Sequence, residues 1–216
     1  MPHASLTALV LAAAALPGCA GELAAGQKSP STAAAGGRAD ALVGVARRIY
    51  HQEVGGEVGH AAVKRIARDR ALLRALGGTD RAALRASALR QLFNPGKHVV
   101  RLAVVRRGRT LVDVGGAFVV AAAHRELRAP DGADLGRLEA SMQDVIGYVK
   151  LVHRLTGAHV VVRGARGHVE SSLTPTPATV PRAGTATIAG RAYVVRSFPE
   201  TGFAGERLTV SILSRA

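Results

Sequence analysis

The stretch of residues 135–157 constrains the fold most, because its pattern predicts a strand that runs directly into a helix. Polar and apolar side chains alternate up to Met142, as they do in a strand with one buried face. From Val145 onward, apolar side chains recur every three or four residues, as in a helix with one packed side. Gly157 tolerates the left-handed conformation that often ends a helix. We therefore expect a sheet covered by helices.

The segment before this unit has a helical pattern. Apolar residues repeat every four positions over residues 39–76, which predicts one long helix. The repeat passes through Gly55 and Gly56, where we expect a kink because glycine weakens a helix. A second helix is predicted over residues 80–93, with Thr79 as its N-cap.

Short segments rich in β-branched residues, separated by turn residues, predict strands around the central unit. One hairpin is predicted across Arg107-Gly108-Arg109 and another across Ala189-Gly190. Three prolines in residues 171–181 predict a loop. The predicted strands are residues 99–106, 110–114, 118–122, 159–163, 168–170, 185–188, 191–197 and 207–213.

This order of elements resembles the Cache group of extracytoplasmic sensors, which share a PAS-like sheet. Residues 129–138 carry the resemblance, with the strand and helix behind them and the closing strands at 190–195 and 207–210. It covers about residues 39–214. The resemblance implies an α+β fold in which a long N-terminal helix packs on a mostly antiparallel PAS/Cache-like sheet. Family members bind carboxylates, amino acids and similar solutes between the sheet and its covering loops and helix.

The chain departs from the family in two respects. It carries no kinase, cyclase or methyl-accepting segment and no second transmembrane helix, so the resemblance implies a module that acts alone or through a signalling partner protein. It also has no Trp for the aromatic arrangement that amino-acid-binding relatives use. With seven aromatic residues among 216, the interior is expected to be built from Ala, Val and Leu in one core.

The chain is strongly basic, with 29 Lys and Arg against 15 Asp and Glu and a net charge of +14. Such a charge suits nucleic acid, anionic lipid or an acidic polymer as a partner. The arginines are, however, dispersed over helices and strands, and no aromatic and basic interleaving accompanies them. We therefore predict no nucleic-acid binding.

The N-terminus has the features of an export signal. Residues 1–18 contain no acid, Lys or Arg, and residues 6–16 are apolar or small apart from Thr7. The sequence Leu16-Pro17-Gly18-Cys19 resembles the lipobox of bacterial lipoproteins, although Pro17 is unusual there. On that resemblance Cys19, the only cysteine, is diacylated and becomes the mature N-terminus.

This N-terminal pattern gives the predicted organisation and location of the chain. Residues 1–18 form the signal peptide, 19–38 the lipidated cysteine and a flexible linker, and 39–216 the Cache-like sensor domain. The protein is expected to be extracytoplasmic and held at the cell membrane by its acyl chains.

A ligand site is predicted at the start of the central helix and on the strands beside it. An arginine facing a pocket would hold a carboxylate through paired N–H donors, and Tyr148 would close one wall. Alternatively, Gln143 and Asp144 only cap the helix, and the arginines only reach water at the sheet edge. The candidate residues are Arg101, Ser141, Gln143, Asp144, Tyr148 and Arg196.

The sequence offers little support for metal binding or catalysis. Glu57 and His60 have a spacing that could place two metal ligands on one helix face, but only one such set occurs, and no metal or cofactor is predicted. No nucleophile elbow, zinc-protease motif or phosphate loop is present, so no enzyme is predicted.

These observations predict a non-catalytic extracytoplasmic lipoprotein that binds or senses a small ligand, of the carboxylate or amino acid class. The alternative is an envelope protein whose basic surface binds anionic lipid or cell-wall polymer. Arg106, Arg107 and Arg109 at the first hairpin turn could make such contacts.

Overall fold

The computed structural model describes residues 30–93 and 98–216. The helices are α1 (Pro30–Gly55), α2 (Glu57–Ile66), α3 (Arg70–Gly77), α4 (Arg81–Leu92) and α5 (Val145–Thr156), with a 3-10 helix at Phe203–Gly205. The strands are β1 (Arg101–Arg106), β2 (Arg109–Gly115), β3 (Ala123–Arg128), β4 (Asp134–Ser141), β5 (His159–Gly164), β6 (Val169–Ser171), β7 (Ala183–Ile188), β8 (Arg191–Thr201) and β9 (Arg207–Arg215).

The strands form two antiparallel sheets. Sheet 1 has the order β2-β1-β4-β3, and sheet 2 has the order β6-β5-β9-β8-β7. The expected α+β class, with a long N-terminal helix on a PAS/Cache-like antiparallel sheet, is confirmed. The expectation of one core is corrected, because the buried residues form a separate large cluster beside each sheet.

Each sheet buries one face under its own helices. Leu102 and Leu138 point from sheet 1 into a cluster formed with α2, α3 and α4, which includes Leu72. Val160 and Ile212 point from sheet 2 into a cluster formed with α1 and α5. Because successive side chains in a strand point to opposite faces, the residues between these core positions lie on the outer face of each sheet, away from its helices.

The central unit joins these two halves as the sequence predicts. Strand β4 ends at Ser141 in sheet 1, and α5 begins at Val145 and packs on β5 of sheet 2. Asp144 caps α5 by accepting a hydrogen bond of 2.6 Å from the Gly147 N–H. Gly157 ends the helix with φ 68°. A few residues thus connect the two cores.

The long N-terminal helix is interrupted twice. The expected kink at the two glycines is confirmed, because α1 ends at Gly55 and α2 begins at Glu57. A side chain at Gly56 would collide with the Gln52 carbonyl group, so this position requires glycine. A second break, after Ile66, was not predicted; Asp69 begins α3 there by accepting a 2.7 Å bond from the Leu72 N–H. The apolar repeat continues across this break because α2 and α3 bury their apolar side chains in the same cluster, so the sequence pattern does not mark the break.

The structure also changes two predicted helix starts. Thr79 is not the N-cap of α4; Asp80 accepts the N–H groups of Ala82 and Ala83, at 2.8 and 2.9 Å. Helix α1 already begins at Pro30, within the segment 19–38 predicted as linker, because its alanines favour a helix. The signal peptide and Cys19 lie outside the described residues.

Most predicted strands are confirmed, and one is not. Both predicted hairpins form. Residues 118–122 make only isolated bridges, from Val119 to Asp144 and from Val120 to Gly202, because they cross between elements rather than follow one sheet. The strand next to them is β3, which the sequence did not predict because His124, Arg125 and Glu126 are three consecutive polar residues without alternation.

Candidate functional site

A cleft of about 460 Å³ opens on the outer face of sheet 1, and we call it the sheet 1 cleft. This volume is sufficient for a small solute. Its floor consists of Val105, His124, Arg137 and Glu139, and its rim consists of residues 121–122, 201–202 and 204–205.

Strand register explains why the floor residues share one face. Val105 lies opposite Arg137, and His124 lies opposite Glu139. Directly opposed residues in antiparallel strands point to the same side. The neighbouring residue Leu138 points to the other side, into the core of sheet 1. The sheet therefore presents a polar floor on a rigid support.

The floor of the cleft carries a closely paired acid and base. The Arg137 guanidinium donates a hydrogen bond of 2.5 Å to the Glu139 carboxylate. The Glu139 side chain is 11% exposed, whereas that of Arg137 is 50% exposed. The carboxylate thus lies deep and the guanidinium reaches toward the opening. Opposite charges at different depths suit a ligand that carries both charges.

The rim is fixed on the sheet by a small apolar cluster. Val119 and Phe203 pack against Ala103 of β1, and all three side chains are buried. Ala103 lies opposite Glu139 in the strand register, so this cluster covers the part of the face next to the cleft floor. The rest of that face stays open as the cleft.

Tyr50 of α1 joins the two sides of the rim. Its hydroxyl donates a 2.6 Å hydrogen bond to the Thr201 carbonyl oxygen and accepts one of 3.1 Å from the Ala121 N–H. The phenol is 2% exposed, and burial raises its pKa. This one side chain therefore connects the N-terminal helix to both segments that border the cleft.

Arg101 supports the same rim. Its guanidinium pairs with Asp113 at 2.8 and 2.9 Å, and that hydrogen bonding raises the pKa of Arg101. Two further bonds of 3.2 Å go to the Gly116 and Ala117 carbonyl oxygens, and the guanidinium lies 4.6 Å from the centre of the Phe203 ring. Arg101 thus ties β1 and β2 to the 3-10 helix at the rim.

The other predicted residues at the central unit are placed near one another but outside the cleft lining. Ser141 is buried and donates to the Gln143 carbonyl oxygen at 3.1 Å. The Tyr148 hydroxyl donates to the Ala46 carbonyl oxygen at 3.0 Å. Asp144 caps α5, as the alternative interpretation of the sequence stated. The backbone of Gln143 accepts the Val120 N–H, which holds the segment leading to the rim.

Arg196 lies apart from these residues. It donates a 2.8 Å hydrogen bond to Asp40 of α1 and a 3.0 Å bond to the Val195 carbonyl oxygen. The structure therefore brings together Arg101, Ser141, Gln143, Asp144 and Tyr148 around the β4–α5 connection, and does not bring Arg196 to them. Ligand binding by these six side chains stays a prediction.

Sequence reasoning missed Tyr50, His124, Arg137 and Glu139. The alternation from residue 135 to Met142 had placed Arg137 and Glu139 on the polar face of their strand, which was the available signal. Tyr50 was one member of an apolar helix stripe, and nothing in that stripe marked its hydroxyl group.

The described part of the chain contains neither a cluster of metal ligands nor a helix that could cross a membrane. Residues 30–93 and 98–216 contain no group of three His, Cys, Asp or Glu side chains placed to hold a metal ion. Within the same ranges, every helix is too short or too polar to cross a membrane.

Comparison with known proteins gives the fold but no family assignment. No protein-family model and no curated protein matches the chain. It is similar to the periplasmic domain of LuxQ from Vibrio cholerae, with 10% identity, a TM-score of 0.54, and coverage of 82% of this chain and 98% of that one. A second structure of that domain gives 10%, 0.53, 82% and 100%. At this identity the similarity concerns the fold alone.

Proposed function

We propose that this protein is a non-catalytic extracytoplasmic module that binds a small solute in the sheet 1 cleft. The observation that carries the proposal is the cleft floor, where the deep Glu139 carboxylate lies beside the half-exposed Arg137 guanidinium. A concave site with few polar groups on a rigid sheet is the usual form of a small-ligand site. The LuxQ domain, which has the same fold, is periplasmic, and this supports the extracytoplasmic location.

The charges of the floor favour an amino acid over a simple carboxylate. A ligand carboxylate would accept paired N–H donors from Arg137, near the opening. A ligand ammonium group would reach Glu139 beneath it, and would replace the guanidinium as partner of that buried carboxylate. Arg101 would support this site by holding the 3-10 helix Phe203–Gly205 at the rim in place.

We also propose that ligand binding is transmitted to a partner protein through α1, and the hydrogen bonds of Tyr50 support this route. The rim segments at Ala121 and Thr201 are both bonded to Tyr50, and Tyr50 belongs to the helix that follows the N-terminal segment. A ligand that draws the rim inward would act on α1 through this hydroxyl. A displacement of α1 on ligand binding would then be the signal that a partner protein detects.

A thermal-shift experiment on the full chain tests the ligand site. The melting temperature is measured with each of the twenty common amino acids and with a set of mono- and dicarboxylates, at low and high salt. We expect a saturable increase with an amino acid that persists at high salt, because a bound ligand stabilises only the folded state.

Two single variants separate the ligand classes. Arg137→Gln is expected to abolish the shift for any carboxylate-bearing ligand, whereas Glu139→Gln abolishes it only if the ligand also carries an ammonium group. Each shift is measured against the variant's own unliganded melting temperature. The matched controls are the single variants Glu170→Gln and Arg191→Gln, which remove one charge each from sheet 2, outside the cleft lining. An unchanged shift in both cleft variants would contradict the proposal.

The lipid anchor is part of the same proposal. Its support is the lipobox-like sequence ending at Cys19, the single cysteine of the chain. Mass spectrometry of the N-terminal peptide from the native host is expected to show acyl chains on Cys19, and Cys19→Ser is expected to release the protein from the membrane. An unmodified Cys19 within an intact N-terminus would contradict the anchor while leaving the ligand site untouched.

A further inference from the structure

Four arginines line a second cleft, of about 400 Å³, at the turn end of sheet 1. We call it the arginine cleft. Arg106, Arg107 and Arg109 come from the β1–β2 hairpin, and Arg81 comes from the start of α4. The remaining lining residues are Leu111 and Asp134. Two elements far apart in the sequence thus place like charges around one depression.

The backbone holds these arginines in place. Arg106 lies opposite Arg109 in the hairpin register, and the turn between them puts Arg107 at φ 49° and Gly108 at φ 74°. The Arg81 guanidinium donates a 3.1 Å bond to the Leu111 carbonyl oxygen of β2. The four guanidinium groups therefore stand on a hairpin and a helix packed against each other.

The four guanidinium groups of this cleft are not paired with acids in the described part of the chain. No acid of residues 30–93 or 98–216 lies within 4.0 Å of any of the four guanidinium groups. Asp134, the acid in the lining, accepts the Gly136 N–H at 2.9 Å. One carboxylate against four guanidinium groups leaves a net positive site, and such an arrangement favours a multiply charged anion.

We propose that the arginine cleft binds phosphoryl groups, either free in solution or in the headgroup of an anionic lipid. Guanidinium is planar, always charged, and donates paired N–H bonds that match phosphate oxygens. Three of the four side chains are exposed, so a phosphoryl group reaches them without rearrangement of the fold. This site is separate from the sheet 1 cleft and does not rest on the function proposed there.

Direct binding measurements on the full chain test this inference. The probes are inorganic pyrophosphate, followed by calorimetry, and vesicles of phosphatidylglycerol, followed by sedimentation with phosphatidylcholine vesicles as reference. The variant is Arg107→Asn with Arg109→Gln, since Asn suits the left-handed turn position that Arg107 occupies. Loss of two phosphate contacts is expected to weaken binding about thirtyfold.

The matched control is Arg85→Gln with Arg191→Gln, which removes the same charge from exposed positions outside the cleft. Pyrophosphate binding lost only in the hairpin variant would identify a free phosphoryl ligand; vesicle binding lost only in that variant would identify a lipid headgroup. Equal weakening in both double variants, or no binding of either probe to the native chain, would overturn the inference. Arg81→Gln, which leaves the hairpin intact, repeats the test if the hairpin variant unfolds.

Discussion

The bonds of Tyr50 allow one substitution to test how the rim of the sheet 1 cleft is held. Tyr50→Phe removes the hydroxyl and leaves the Ala121 N–H and the Thr201 carbonyl oxygen without their protein partner. The ring itself stays, packed edge-on to Tyr148 at a centroid distance of 5.3 Å. The apolar core is therefore unchanged, and the effect reports the two hydrogen bonds.

The expected magnitude follows from those two bonds. A hydrogen bond contributes about 1 kcal/mol net, so the free energy of unfolding is expected to fall by about 2 kcal/mol. For a chain of this size the melting temperature would decrease by about 4 to 8 °C. The Ala121 amide is expected to exchange its hydrogen about fivefold faster, because the loss of one hydrogen bond of about 1 kcal/mol makes local opening of that amide easier.

Tyr148→Phe is the matched control, because it removes an equally buried hydroxyl with a single bond, to the Ala46 carbonyl oxygen. It is expected to cost about 1 kcal/mol and to leave exchange at Ala121 unchanged. Urea unfolding gives the stabilities, and hydrogen exchange followed by NMR gives the amide rates. Equal exchange at Ala121 in the two variants would refute the assignment of Tyr50 as the connection between α1 and the rim.

Three further outcomes are expected. Asp144→Ala loses the N-cap of α5 and should lower the free energy of unfolding by about 1 kcal/mol in urea titration; an unchanged stability would contradict the cap. Arg101→Lys loses the paired contact with Asp113 and should speed amide exchange in the Phe203 turn; an unchanged rate would refute its role at the rim. Burial raises the pKa of Tyr50 and Tyr148 above the ordinary value of 10.0, so the stability that the neutral phenols contribute is complete below pH 10 and decreases progressively as the pH rises above it. Urea unfolding between pH 8 and pH 11 checks this, and Tyr148→Phe should flatten the decline.

The sequence pattern predicted the secondary structure correctly wherever a change of hydrophobic period or a glycine marked the boundary of an element. The change of period after Met142 predicted β4 and α5, and the glycines at the two hairpins and at Gly56 predicted turns and a break. The break near Asp69 was invisible, because helices that pack on one cluster preserve the apolar repeat across a change of direction.

The division into two sheets could not be derived from the sequence pattern. Each strand has the same alternation whichever sheet it joins, and the choice depends on pairings between distant segments, such as β1 with β4. The sheet 1 cleft could not be predicted either, because it is also formed by segments that are distant in the sequence. Its floor combines neighbouring strands, whereas its rim combines residues near Ala121 with residues near Thr201, which only the folded chain brings together.

The ligand-site candidates were chosen from their positions in the sequence, which do not predict the hydrogen-bond partners of their side chains. The start of α5 was chosen because helix N-termini bind small ligands, but its Asp144 side chain is bonded to the Gly147 N–H. Arg101 was chosen as a carboxylate binder, and the carboxylate that it contacts in the structure is that of Asp113. The acid and base of the cleft lie on the polar face of β4, which the alternation had identified without indicating what would cover it.

Hydrogen exchange of the full chain, with and without a mixture of the twenty common amino acids at millimolar concentration, tests the central claim most directly. A ligand in the sheet 1 cleft is expected to slow exchange at residues 121–122 and 201–205, the two segments of the rim, and to do so less in Glu139→Gln. Slowed exchange confined to another part of the chain would contradict the assignment of the site. Unchanged exchange throughout would contradict amino acids as its ligands.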